Sequence, residues 1–71
     1  MSIGQRVRAL RRARLLTQAQ LAQLAGTTQT EVSRWEAGRT QPQLGSLRRL
    51  CDALGVEPAD LLDSTTQAKE S

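Results

Sequence analysis

Histidine is missing from this 71-residue sequence, and cysteine occurs once, at Cys51. With a single thiol and no imidazole, the sequence lacks the usual ligands of a structural zinc site and cannot form an internal disulfide. We therefore expect no metal and no cofactor, and the cysteine usage is typical of a reducing compartment. We interpret Cys51 as a small buried apolar residue rather than as a reactive thiol.

Aromatic residues are almost as scarce, because Trp35 is the only one. Proteins that bind single-stranded nucleic acid use several aromatic stacking platforms, so we interpret Trp35 as part of an apolar core instead. Long apolar runs and a signal-peptide pattern are also missing, so we expect no membrane association and a cytoplasmic location. The sequence offers no paired nucleophile and base, phosphate loop or carboxylate cluster, which argues against an enzyme.

Charge is distributed unevenly along the sequence. Residues 1–49 carry nine arginines and two acids, whereas residues 50–71 carry one lysine and five acids. A basic front and an acidic back favour binding to a polyanion such as nucleic acid, although arginines on small helical domains often only solvate a surface. A chain of this length allows one small domain.

The centre of the sequence, TQAQLAQLAGTTQTEVSRWE, predicts two short helices joined by a tight turn. Thr17 with Gln20 and Thr28 with Glu31 have the spacing of capping boxes, in which a hydroxyl and a side chain three residues later satisfy each other's backbone amides. Gly26 lies between the two helices, where a residue without a Cβ can adopt the left-handed conformation that ends a helix.

Each of these helices has an apolar side and a polar side. The inward residues are Leu21, Ala22, Ala25, Val32 and Trp35. The outward residues of the second helix are Gln29, Thr30, Ser33 and Arg34. Their amide, hydroxyl and guanidinium groups are the types that hydrogen-bond base edges in the major groove, glutamine to adenine and arginine to guanine. We predict that these four residues read DNA bases, with Ser33 also placed to reach the backbone.

Three further helices are predicted around this pair. Ser2 and Gln5 cap a first helix over about residues 3–14, and a fourth runs over about residues 44–54. Its expected inward residues are Leu44, Leu47, Leu50, Cys51 and Leu54. Pro58 suits the first turn of a short fifth helix. The sequence therefore predicts an all-α domain over residues 1–63, and we expect the polar residues 64–71 to be disordered.

The runs QLAQ, GTTQ and WEAGRT resemble the Cro and phage-repressor (XRE) type of helix-turn-helix domain, and the similarity extends from about Ile3 to Leu62. The resemblance implies a compact five-helix lambda-repressor-like bundle whose third helix enters the major groove. It also implies a sequence-specific regulator that binds double-stranded operator DNA as a homodimer, acting as a repressor.

The resemblance assigns roles to residues outside the third helix. It implies that Gln18 contacts a phosphate and braces Gln29, and that Arg11 pairs with Glu36, with phosphate contact by Arg11 a secondary role. Thr28, Arg39 and Thr40 are further candidate phosphate contacts. The candidate dimer interface consists of Val56, Pro58, Leu61 and Leu62, although Leu61 could equally close the core.

Three positions depart from the family pattern. Leu15 stands where a glycine commonly closes the first helix, Leu24 falls on the polar side of the second helix, and Ala25 is small for an inward position. The exposed Leu24 and the fifth-helix residues leave open an alternative function. In that alternative the same fold binds a protein partner, as an antitoxin or a multiprotein adaptor does.

Overall fold

The computed structural model describes residues 2–62, and this part of the chain is all-helical, as predicted. The five helices are α1 (Ile3–Ala13), α2 (Gln18–Ala25), α3 (Gln29–Glu36), α4 (Leu44–Leu54) and α5 (Pro58–Leu61). The segment 64–71, expected to be disordered, lies outside the described residues. Within residues 2–62 no helix combines the length and apolar character needed to cross a membrane.

The first two helices begin at complete capping boxes. The Gln5 amide donates to the Ser2 hydroxyl over 3.1 Å, and the Ser2 amide donates to the Gln5 side chain over 3.0 Å. The matching distances for Thr17 and Gln20 are 3.0 and 2.8 Å. Both predicted starts are confirmed, and at each of them the amides of the cap residue and of the third helical residue are satisfied by the box.

The cap of α3 is only half of the predicted box. The Glu31 amide donates to the Thr28 hydroxyl over 3.2 Å, so the predicted start of the helix is confirmed. The second hydrogen bond of the predicted box, from the Thr28 amide to the Glu31 carboxylate, is not formed, so this part of the prediction is wrong. Among residues 2–62 the Glu31 side chain instead lines a cleft between α3 and the start of α4. One hydroxyl therefore holds the N-terminus of α3.

The core lies between α1, α2, α3 and α4, and α5 closes one end. It is built from small and aliphatic side chains around a single tryptophan: Val7, Leu21, Ala22, Ala25, Val32, Trp35, Leu47, Leu50, Cys51, Leu54 and Leu61. Trp35 is 4% exposed, so its prediction as a core residue is confirmed. Burial also raises the pKa of the Cys51 thiol, which fits an inert packing role.

Leu44 was predicted to point inward from α4, and this prediction is wrong, because its side chain is 64% exposed. It lies on the same stripe as Leu47 but occupies the first residue of the helix. The periodicity of a helix predicts the direction of a side chain but not whether another element extends far enough to cover it. At this end of α4 the packed surface has already ended.

Residues with positive φ follow four of the five helices, and one of them is not a glycine. Gly26 follows α2 with a φ of 70°, as predicted, and Gly38 and Gly55 follow α3 and α4 with φ of 78° and 69°. After α1 the corresponding residue is Leu15, with φ of 58° and a side chain that is 89% exposed. A Cβ in this conformation costs about 1–2 kcal/mol, so the departure from glycine carries a local strain.

Candidate nucleic-acid interface

Helix α3 has one side that is buried in the protein and one polar side that is exposed to solvent. Val32, Trp35 and Glu36 are buried. The predicted base-reading residues Gln29, Thr30, Ser33 and Arg34 are all exposed. The 3.6-residue period of the helix produces this separation, because the buried and exposed residues fall on opposite sides of one short element.

The exposed side of α3 forms one wall of a shallow groove. The groove is lined by Gln18, Gln29, Thr30, Ser33, Arg34, Ala37 and Arg39. It therefore brings the four predicted base-reading residues together with two predicted phosphate contacts. Among the residues that line it there are two guanidinium groups and no carboxylate, so the groove suits an anionic ligand that also offers hydrogen-bonding edges.

A buried ion pair holds α3 against α1. Arg11 Nε donates to Glu36 Oε2 over 2.7 Å, and Nη2 donates to Oε1 over 3.0 Å, which is the paired geometry that favours arginine with a carboxylate. The hydrogen bonds that Arg11 donates to Glu36, together with the negative charge of that carboxylate, raise the pKa of Arg11 against the opposing effect of burial. The pairing implied by the family resemblance is therefore present.

Two more bonds connect this pair to the start of α2. Arg11 Nη1 donates to the Leu16 carbonyl over 2.8 Å, and Gln18 Nε2 donates to Glu36 Oε1 over 3.1 Å. Arg11 thus directs all three guanidinium nitrogens into the protein, and its side chain is 10% exposed. Gln18 braces the end of α3 through Glu36, whereas the resemblance implied a brace to Gln29 at its start. Contact of either residue with phosphate stays a prediction.

Helices α1 and α3 also meet through Gly4, which the sequence analysis missed. A Cβ at Gly4 would lie 1.9 Å from the backbone oxygen of Trp35, so only glycine allows this approach. The available signal was a glycine in the first turn of an otherwise strong helix, where it costs roughly 0.5–1 kcal/mol relative to alanine. Such a glycine often marks a close contact between backbones.

The remaining predicted phosphate contacts are exposed around the ends of α3. Thr28 accepts a bond from the Glu31 amide, which leaves its hydroxyl proton available to a phosphate oxygen. Arg39 follows Gly38, whose φ of 78° turns the chain after the helix, and the Arg39 amide donates to the Arg34 carbonyl over 2.9 Å. Thr40 lines the neighbouring cleft on the α4 side.

The candidate dimer surface is smaller than predicted. Leu61 is 1% exposed and packs in the protomer's own core, so its assignment to an interface is corrected. A position on α5 could point either way, and here the last turn of α5 supplies the side chain that closes the bundle. Val56 and Leu62 are half-buried and Pro58 is exposed, so these three residues remain at the surface.

Comparison with known proteins matches this architecture to a family. A model of the helix-turn-helix domain matches residues 2–64. The immunity repressor protein of Bacillus phage phi105 is 36% identical over 70 residues, which are 99% of this chain and 49% of that protein. An HTH-type transcriptional regulator of Sinorhizobium fredii is 34% identical over 67 residues. The chain thus spans about half the length of the curated relatives it matches.

Solved structures agree over most of the chain. The P22 c2 repressor in complex with a synthetic operator has a TM-score of 0.82 at 33% identity, covering 86% of this chain and 92% of that chain. The restriction-modification controller protein C.AhdI from Aeromonas hydrophila has a TM-score of 0.81 at 39% identity, covering 83% and 89%. Together with the family match, these similarities show that the chain belongs to the Cro and phage-repressor type of helix-turn-helix family, whose members are DNA-binding regulators and not enzymes.

Proposed function

We propose that this protein is a sequence-specific binder of double-stranded DNA that inserts α3 into the major groove and acts as a repressor. The observation that carries the proposal is the exposed polar side of α3, backed by Val32 and Trp35 and by the Arg11–Glu36 pair. Rigid support of this kind holds base-reading side chains in a defined register.

The roles follow from the chemistry of each side chain. The Gln29 amide suits the N6 and N7 positions of adenine, and the Arg34 guanidinium suits O6 and N7 of guanine. The Thr30 methyl suits a thymine methyl, and the Ser33 hydroxyl suits either a base edge or the backbone. Around them, Thr28, Arg39 and Thr40 position the duplex through its phosphates, as does Gln18, which lines the same groove as Arg39.

The proposed assembly is a homodimer on two half-sites. Val56, Pro58 and Leu62 form the surface on which a second copy would pack, since they are the members of the candidate interface that remain accessible. Two-fold symmetry would then place the two copies of α3 about one helical turn of DNA apart. A charged substitution such as Val56→Asp is expected to weaken dimerisation and operator binding together, as sedimentation and binding titrations would measure.

The direct test is selection of preferred duplexes from a random pool. The wild-type protein is expected to enrich a two-fold symmetric sequence, and Gln29→Ala and Arg34→Ala are each expected to lose preference at one position in each half-site. Arg48→Ala is a matched control, because Arg48 is exposed on α4 and lies outside the groove. An unchanged preference in both α3 variants would reject these residues as readers of DNA.

Binding to a protein partner is the second candidate, and the observation that favours it is Leu24, which is 60% exposed on α2. The fifth-helix patch supports it less than expected, because Leu61 is buried. Salt dependence separates the two functions, since binding to phosphates releases counterions and falls steeply as salt rises. Indifference to duplex DNA at low salt, with tight binding to another protein that Leu24→Ala abolishes, would favour the second candidate.

A further inference from the structure

Glu31 carries a carboxylate that the fold does not use. Its backbone amide is held by the Thr28 hydroxyl, but its side chain takes no hydrogen bond and no ion pair from any residue in the range 2–62. The buried Glu36, the other acidic residue of α3, is fully engaged with Arg11 and Gln18. Helix α3 therefore keeps one uncommitted negative charge.

The position of Glu31 is at the edge of the proposed reading face. Its side chain is half-buried and lines the cleft between α3 and the loop that leads to α4, next to Thr40. The groove that holds Thr30 and Arg34 is a separate one, since it shares no lining residue with this cleft. Glu31 thus directly follows Thr30 in the helix and faces the cleft that Thr40 also lines.

Glu31 also lies at the end of α3 that comes nearest to bases. It is the third residue of the helix, and helical side chains lean toward the N-terminus of their helix. In helix-turn-helix complexes the N-terminal residues of the recognition helix contact base edges. Glu31 therefore belongs to the part of α3 whose residues contact base edges in such complexes.

A carboxylate can accept hydrogen bonds but cannot donate them, which narrows its choice of base. Guanine and thymine present acceptors in the major groove, and they would repel it. Adenine presents a donor beside the N7 acceptor. Cytosine presents an amino donor with no acceptor next to it on the same base. Cytosine is therefore the base that suits Glu31 best.

We infer that Glu31 is a specificity-determining residue, which accepts a hydrogen bond from a cytosine amino group next to the base pairs contacted by Thr30 and Arg34. This inference rests on the proposed function, because it requires α3 to lie in the major groove. The same negative charge would also repel a phosphate, or the acceptors of a guanine or thymine, at that position.

The test compares duplexes selected by the wild-type protein with those selected by Glu31→Gln. The wild type is expected to prefer cytosine roughly tenfold or more over other bases at one position in each half-site. Glu31→Gln keeps the size of the side chain but adds amide donors, so it should lose the cytosine preference and favour adenine there. Preferences at all other positions should stay unchanged.

Asp52→Asn is the matched control, because it removes one exposed carboxylate from α4 outside the groove and the cleft. It should select the same bases as the wild type. Since the α3 cap uses the Thr28 hydroxyl, Glu31→Gln should also keep the wild-type thermal midpoint. If the wild type selects a defined sequence and Glu31→Gln selects the same one at every position, the inference is wrong while the proposed function stands. If the wild type selects no sequence, both are wrong.

Discussion

The two sides of α3 differ in their contacts, because the buried side chains contact the rest of the protein and the exposed ones face solvent. On the buried side, Trp35 packs in the core and Glu36 receives bonds from Arg11 and Gln18. On the exposed side, Ser33 and Arg34 point into an open groove. Substitutions on the buried side should therefore change the free energy of unfolding, and substitutions on the exposed side should change binding while stability stays constant.

Glu36→Ala is expected to have the largest effect on stability. It leaves the Arg11 guanidinium buried without its carboxylate and removes the acceptor of Gln18, so the free energy of unfolding should fall by about 3–5 kcal/mol. Urea denaturation followed by circular dichroism measures this change. The double variant Arg11→Met with Glu36→Leu is the control, because an apolar pair of similar volume should recover most of the loss. A loss of less than about 1 kcal/mol in the single variant would show that the pair is not needed.

Gly4→Ala tests the second attachment of α3 to α1. The new methyl group would meet the Trp35 carbonyl, so the helices must separate, at a cost of about 1–3 kcal/mol. Gly45→Ala is a matched control, because it lies in α4 with no atom within 4 Å of the added Cβ. It should raise stability by about 0.5–1 kcal/mol through the better helix propensity of alanine. Equal effects of the two changes on the unfolding midpoint would refute the close approach.

Arg34→Ala tests the exposed side. Its side chain makes no bond to any residue described here, so stability should change by less than about 0.5 kcal/mol. Discrimination between the preferred duplex and one with a single guanine replaced should fall by about 1–3 kcal/mol. Competition binding at fixed salt measures the discrimination, and Arg49→Ala on α4 supplies a control with the same loss of charge. If Arg34→Ala lowered stability without changing the preference for one duplex over the other, Arg34 would belong to the packed side of α3 and not to its reading side.

Leu15→Gly should change the free energy of unfolding least, and it should raise that free energy rather than lower it. Releasing the Cβ from a left-handed conformation should stabilise the protein by about 1 kcal/mol, because the exposed side chain contributes little packing. Leu24→Gly is the control, since it removes another exposed leucine from the interior of α2 and should destabilise by about 1 kcal/mol. Thermal unfolding of both variants checks the prediction, and destabilisation by Leu15→Gly would show that its side chain is needed for packing.

The sequence predicted the features that depend on local rules. Hydroxyl caps at Ser2, Thr17 and Thr28 and the glycine after α2 follow from backbone hydrogen bonding near each residue, so the helix boundaries agree closely with the structure. The exposed set on α3 could be predicted for the same reason. Periodicity within one helix is sufficient to separate its two sides.

The features that were missed, or left open as for Leu61, depend on neighbours distant in sequence. Leu44 has the right periodicity but no covering element, and Leu61 lies inside because the last turn of the bundle needs a closing side chain. Gly4 is required by a carbonyl on another helix. The Glu31 carboxylate does not form the predicted cap and instead lines a cleft formed with the α3–α4 loop. A single sequence does not show which residues meet across the fold, and the glycine in the first turn of α1 was the one indirect signal for these contacts.

The central claim is that the exposed side of α3 reads base edges in the major groove. Methylation interference tests it most directly, because dimethyl sulfate modifies guanine N7 on the major-groove edge that Arg34 is proposed to contact. On the duplex selected by the wild type, methylation of one guanine in each half-site should block binding, and Arg34→Ala should become indifferent to that methyl group. Wild-type binding that tolerates methylation at every guanine of the site, with blocking only by modification in the minor groove, would contradict the account.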